Sequence, residues 1–152
     1  MTLPPTWDLF GDDHLPHRLQ LLAKMIDRET AKQLQREFGM SLAEWRVLAY
    51  ICAAGPASAA DVGAASAIDR AEVSRAVAKL ERDELIARSV DPKHRKRLIL
   101  EPTGAGRDSF ARIRSQRRGY FQRIMNDIPQ ATREQLNSAL RTIALGVQQA
   151  VA

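Results

Sequence analysis

The chain has one cysteine, Cys52, among 152 residues. That excludes an internal disulfide framework and favours a reducing compartment. Aromatic residues make up 5% of it, too few for the stacking platforms that hold single-stranded nucleic acids. No stretch approaches the roughly 18 consecutive apolar residues of a membrane-spanning helix. The opening segment MTLPPTWDLFGDDH lacks a basic region running into an apolar one, so a secretory leader is not expected. There is no internal repeat and no low-complexity tract, although 53–67 is rich in alanine. The expectation is a soluble, cytoplasmic protein without membrane association.

A hydrophobic share of 45% beside 27% charged residues is the composition of a globular protein. The length suits one domain, or one domain with an added assembly element. Lys and Arg number 23 and Asp and Glu 18, a net charge of +5. The surplus is unevenly placed. Residues 1–40 hold five basic and six acidic groups, 41–102 ten and nine, and 103–152 eight and three. Within 93–123, Lys93, Arg95, Lys96, Arg97 and six further arginines stand against Glu101 and Asp108 alone. Such a cluster draws phosphates and makes their binding sensitive to salt. A solvated helix face is the plainer alternative for a charge run taken by itself.

Residues 1–14, with Pro4, Pro5 and Gly11 and no apolar period, read as a flexible arm. From there Leu15, Leu19, Leu22, Ile26, Leu34 and Phe38 recur at threes and fours, which predicts one long amphipathic helix stopping near Gly39. Ser41-Leu-Ala-Glu44 is a capping box, a hydroxyl at the cap and a carboxylate three residues on that reaches back. It opens a second helix that Gly55-Pro56 ends. Ser58-Ala-Ala-Asp61 starts a short third helix, and Asp69-Arg-Ala-Glu72 a fourth that ends near Leu85. The period then changes. Leu85–Val90 and Arg97–Leu100 are short β-prone runs around the polar stretch Asp91-Pro-Lys-His-Arg-Lys96, which predicts a hairpin with a long tip. Thr103-Gly-Ala-Gly106 leads into another long helix with Phe110, Ile113, Phe121 and Ile124 on one face. After Pro129 a last helix carries Leu136, Leu140, Ile143 and Val147. The predicted fold is mainly α with a small β-hairpin wing: a winged helix-turn-helix lobe over 41–102, flanked by helices at 15–40 and 103–152. Their apolar stripes need a cover, most simply a second copy of the chain.

In the fourth helix the charge becomes informative. At 100° per residue Val73, Val77 and Leu80 share one face, and Arg75, Lys79 and Arg82 the other, with Ala71, Glu72 and Ala78 beside them. A face of cations and small residues suits the major groove of double-stranded DNA, where arginine pairs with guanine O6 and N7 and lysine meets phosphate. Arg70, Ser74, Arg75 and Lys79 are the candidate contacts. Glu72 has two readings, completing the cap begun by Asp69 or accepting from a cytosine amino group, the cap being preferred. In the wing, Lys93, His94, Arg95, Lys96 and Arg97 would lie along phosphates, with one arginine in the narrow minor groove. Asp91 is placed to orient that arginine, and Asp91-Pro92 is turn chemistry as well.

The strings EWRVL, VSRAVAKLE, LIARSVDPK and LEPTGAGR, in that order, resemble the MarR family of bacterial transcription regulators. Arrangement and length match over about residues 15–150. The chain departs from the family where the wing often reads Asp-Arg-Arg and here reads His94-Arg95-Lys96, so the usual acid is a histidine. Pro102 also precedes Thr103 where the family has Leu. The resemblance implies a homodimer joined through 15–40 and 103–152, each 41–102 lobe reading half of a pseudo-palindromic operator, usually as a repressor. It also implies release by a small effector, often phenolic or aromatic, bound between the joining helices and the DNA lobe. His17, Arg18, Trp45, Arg46, Phe110 and Arg114 are the candidate lining of that cleft.

Catalytic readings are thin. Cys52 shares the apolar run of the second helix with Leu48 and reads as a small buried hydrophobe; a reactive thiol needs exposure and a depressed pKa. His14 and His17, even with Asp12 and Asp13, make a weak metal site, since Pro16 intrudes on ligands that need workable spacing. Gly104-Ala-Gly106 follows a hairpin and opens no βαβ unit, so it is not a dinucleotide fingerprint. No enzyme activity, cofactor or metal is expected. A winged helix can also be a protein-interaction module whose basic surface meets an acidic partner, and such a module shows no preference among DNA sequences.

Overall fold

The computed structural model describes residues 2–11, 14–92, 94 and 97–151. Its elements are α1 (Leu15–Phe38), α2 (Leu42–Ala54), α3 (Ala59–Ser66), α4 (Arg70–Arg82), β1 (Ile86–Val90), β2 (Leu98–Pro102), α5 (Gly104–Ile124) and α6 (Gln130–Val151). The fold is a winged helix-turn-helix, mainly helical with one two-stranded antiparallel hairpin. The chain divides into two compact units, residues 1–111 and 112–152.

Local chemistry sets the helix ends in the first unit. α1 closes on Gly39, whose left-handed backbone (φ 61°) lets its N–H reach the Gln35 carbonyl while Met40 N–H reaches that of Leu34. Both predicted capping boxes form in full: Ser41 with Glu44, and Ser58 with Asp61. Between the ends, Val47, Leu48 and Ile51 of α2, Val62 of α3, and Val73, Ala76, Val77 and Leu80 of α4 are buried together with Ile86 and Leu100 of the hairpin. Full burial of each large aliphatic side chain stabilises the fold by about 1.5–3 kcal/mol relative to exposure. Strands β1 and β2 pair from Ile86↔Pro102 to Val90↔Leu98. Ala57 adds a single bridge to the sheet, exchanging hydrogen bonds of 2.8 and 3.3 Å with Leu100.

The start of α5 is fastened to the turn after α4. Thr103 Oγ1 donates to the Glu84 carbonyl (2.7 Å) and accepts from Gly106 N–H (3.0 Å), while Thr103 N–H donates to the Leu85 carbonyl (3.0 Å). Residues 4–11 make consecutive turns and are tied to α1: Arg18 donates to the Trp7 carbonyl at 3.3 Å and to Asp8 at 2.8 Å. In the second unit, the Arg117 guanidinium lies 5.1 Å over the Phe121 ring, and Arg133 donates to the Ile128 carbonyl at 2.7 Å. α6 leaves Leu136, Leu140, Ile143 and Val147 exposed at spacings of four, three and four. No helix among the described residues is long and apolar enough to cross a membrane.

Candidate nucleic-acid interface

α4 begins at Asp69, whose carboxylate accepts from Glu72 N–H at 2.8 Å. Its apolar face is spent on the core, which turns Arg70, Glu72, Ser74, Arg75 and Arg82 outward, all of them exposed. Among the described residues Arg70, Arg75 and Arg82 have no hydrogen-bond or ion-pair partner, so their guanidinium groups are available to a ligand. Lys79 differs, because its ammonium is engaged by Asp83 one turn on. Arg70 and Ser74 also line a groove of about 950 Å³ between α3, α4 and the hairpin, floored by Ile68, Val73, Val77 and Leu100.

The base of the wing is anchored to the helices by two ion pairs. Arg97, immediately before β2, pairs with Asp61 and donates to Ser58 Oγ at 3.2 Å. The same Asp61 carboxylate accepts from Ser58 Oγ–H at 2.8 Å and Ser58 N–H at 3.2 Å. The Ser58 bonds, and after them the Arg97 charge, hold the Asp61 carboxyl below its ordinary value. Arg88 of β1 holds Glu81 of α4 in a bidentate pair, Nε donating to Oε1 at 2.8 Å and Nη2 to Oε2 at 2.7 Å. Asp91, expected to orient a wing arginine, closes the hairpin through its backbone, donating to the Arg97 carbonyl at 2.8 Å and accepting from His94 N–H at 3.2 Å. His94 is exposed. Lys93, Arg95 and Lys96 lie outside the described residues. Neither anchoring pair was visible in the sequence, since Asp61 and Arg97 are 36 positions apart; the only local sign was that Asp61 sits as the acid of a capping box.

Several of the residues proposed for an effector cleft have partners within the first unit. Trp45 stacks on Phe110 with ring centroids 5.8 Å apart and planes 20° apart, a half-buried apolar pair. Arg46 reaches back to Asp27 of α1 with two 2.8 Å contacts. His17 Nε2 lies 2.9 Å from the Thr6 carbonyl, and Arg18 holds Trp7 and Asp8. Arg114 is in the second unit, exposed. Cys52 is half-buried, and burial raises its thiol pKa against a smaller opposing pull from Arg107. Phe10, His14 and His17 form a cluster of three rings, with Phe10 4.9 Å from His14 and 4.8 Å, edge-on, from His17. Among the described residues no group of three or more His, Cys, Asp or Glu could hold a metal ion; Asp12 and Asp13 lie outside them.

Comparison with known proteins bears on this geometry. The MarR family model matches residues 38–97, from the end of α1 to the start of β2. No curated protein matches the chain. Among solved structures, a MarR/EmrR family transcriptional regulator from Acinetobacter sp. ADP1 superposes with a TM-score of 0.79 at 20% identity, over 90% of this chain and 96% of that one. A MarR family transcriptional regulator from Silicibacter pomeroyi DSS gives 0.79 at 18% identity, over 93% and 97%. S. aureus MepR in complex with DNA gives 0.75 at 19% identity, over 90% and 99%. At these identities the likeness establishes a shared fold.

Proposed function

We propose that this chain, a MarR family protein by its match over residues 38–97, is a cytoplasmic transcription regulator that binds double-stranded DNA in a sequence-specific way. The observation that carries the reading is α4: its apolar face is buried, while Ser74 and the unpartnered guanidinium groups of Arg70 and Arg75 stand exposed on the other side. Arginine in the major groove pairs bidentately with guanine O6 and N7, and the wing follows the phosphates. The pairs Arg97–Asp61 and Arg88–Glu81 hold the hairpin at a set angle to α3 and α4. That is the rigidity a reading head needs to keep both contacts in register. The fold shared with MepR, a protein solved on DNA, supports the same reading.

The protein acts as a homodimer and, in this reading, as a repressor. The exposed stripe Leu136, Leu140, Ile143 and Val147 on α6 repeats at the spacing of a helix–helix seam, and covering it with a second copy removes it from water. Two lobes then meet two half-sites about 34–36 Å apart. A small aromatic effector, taken up near the stacked pair Trp45 and Phe110, shifts the lobes. Both half-sites must be met at once, so a small shift suffices for release. The test is a mobility-shift titration of Arg75→Ala on the intergenic DNA upstream of the gene. The variant is expected to lose about 10- to 100-fold in specific affinity, the worth of one bidentate base contact, with little change on random duplex. Unchanged specific affinity refutes α4 as the reading helix.

A further inference from the structure

Three helices of the first unit start with the same sequence device, an oxygen-bearing cap and an acid three residues on, yet only two complete it. At α2 the Glu44 carboxylate accepts from Ser41 N–H at 3.1 Å, and at α3 the Asp61 carboxylate accepts from Ser58 N–H at 3.2 Å. At α4 the forward half alone forms, from Glu72 N–H to Asp69 at 2.8 Å. Among the described residues the Glu72 carboxylate has no hydrogen bond and no ion pair, although Arg75 is three positions away and equally unpartnered. Glu72 is exposed, in the first turn of α4. Around the helix Arg75 stands between it and Ser74.

An unpaired carboxylate on a surface that meets DNA repels every phosphate and so weakens binding to all sequences alike. It becomes favourable only where the groove offers it a proton donor. In the major groove guanine and thymine present acceptors, adenine presents a donor beside an acceptor, and cytosine presents the N4 amino group alone. We propose that Glu72 is a specificity-determining residue that accepts a hydrogen bond from the N4 amino group of one cytosine in each half-site. This rests on the reading of α4 as the DNA-reading helix, whose N-terminal residues are the ones that reach base edges. Arg75 then takes a guanine beside that cytosine, and mismatched sequences are rejected by acceptor-to-carboxylate repulsion.

The experiment is selection from a random duplex library with the full-length wild type, Glu72→Gln and Glu72→Ala, each checked by thermal melting for folding. The wild type should enrich a two-part motif with cytosine at one position of each half. Both variants should lose that preference by about ten-fold, keep the rest of the motif, and bind random duplex more tightly than wild type with a changed salt dependence. A cytosine preference retained in both variants, or a wild-type motif without cytosine, overturns the proposal while leaving α4 as the reader. A wild type that enriches no motif overturns the reading of α4 itself, and this inference with it.

Discussion

Gly106→Ala and Gly119→Ala make the same chemical change on one helix and should move stability in opposite directions. A Cβ on Gly106 falls 2.0 Å from the Leu85 carbonyl oxygen and 3.0 Å from its carbon. Real Cβ atoms do not approach within 3.0 Å, so backbone on one side must move by about 1 Å. Neither side is free. Thr103 binds the Leu85 and Glu84 carbonyls and also receives Gly106 N–H, and Glu84 already sits at φ 58°. Overpacking costs about 1–3 kcal/mol. Weakening one or two of those hydrogen bonds adds about 1 kcal/mol each, and the better helix propensity of alanine returns about 0.5–1 kcal/mol. The net loss is about 2–4 kcal/mol, a drop in Tm of about 5–15 °C for a chain of this size. At Gly119 the nearest atom is the flexible end of Arg123, 3.7 Å away, so only the propensity gain of about 0.5–1 kcal/mol remains. Far-UV circular dichroism melts and urea unfolding of both variants beside wild type measure this. Gly106→Ala melting with wild type would refute the packing described for the α4–β1 turn.

Two further outcomes follow from single residues. The Asp61 carboxyl is held below its ordinary value chiefly by Ser58, with Arg97 contributing, so its ionised form stabilises the fold at neutral pH. That contribution is present above the unfolded carboxyl value and fades as pH falls below about 4. Asp61→Asn should therefore be less stable than wild type in urea at pH 7, with a deficit that shrinks as the pH is taken below about 4; a deficit that does not change with pH would assign the effect to something other than charge. Ala67 ends α3 in the left-handed region at φ 52° and ψ 44°, where glycine is unstrained. Ala67→Gly should raise stability by about 0.5–1 kcal/mol in the same unfolding experiment, and a loss would contradict that backbone geometry.

What the sequence disclosed about the fold was what neighbouring residues decide among themselves. Ser41 with Glu44 and Ser58 with Asp61 announced helix starts because a cap and its acid are three residues apart, and the structure forms both. The hairpin runs were legible because β-prone residues flank a polar tip, and their register needed only that proximity. At the site, the sorting of Val73, Val77 and Leu80 against Arg75 followed from helical period alone. What stayed hidden depends on distant partners. Arg97 reads in the sequence as a phosphate contact of the wing, and folding brings it to Asp61, 36 positions away across the lobe. Arg46 looked available for a ligand until folding brought Asp27 to it. The place of Gly104-Ala-Gly106 after the hairpin excludes it as a dinucleotide fingerprint, and only packing reveals that Gly106 is needed for the close approach of Leu85.

The central claim, that two copies of this chain read one DNA sequence together, is tested most directly by hydroxyl-radical footprinting on a selected duplex, with the number of chains per duplex determined by sedimentation. Two chains per duplex should protect two stretches on one face of the DNA, about 34–36 Å between centres, with unrelated duplex bound at least about 10³-fold more weakly. One chain per duplex, a single protected stretch, or equal affinity for unrelated DNA would contradict it.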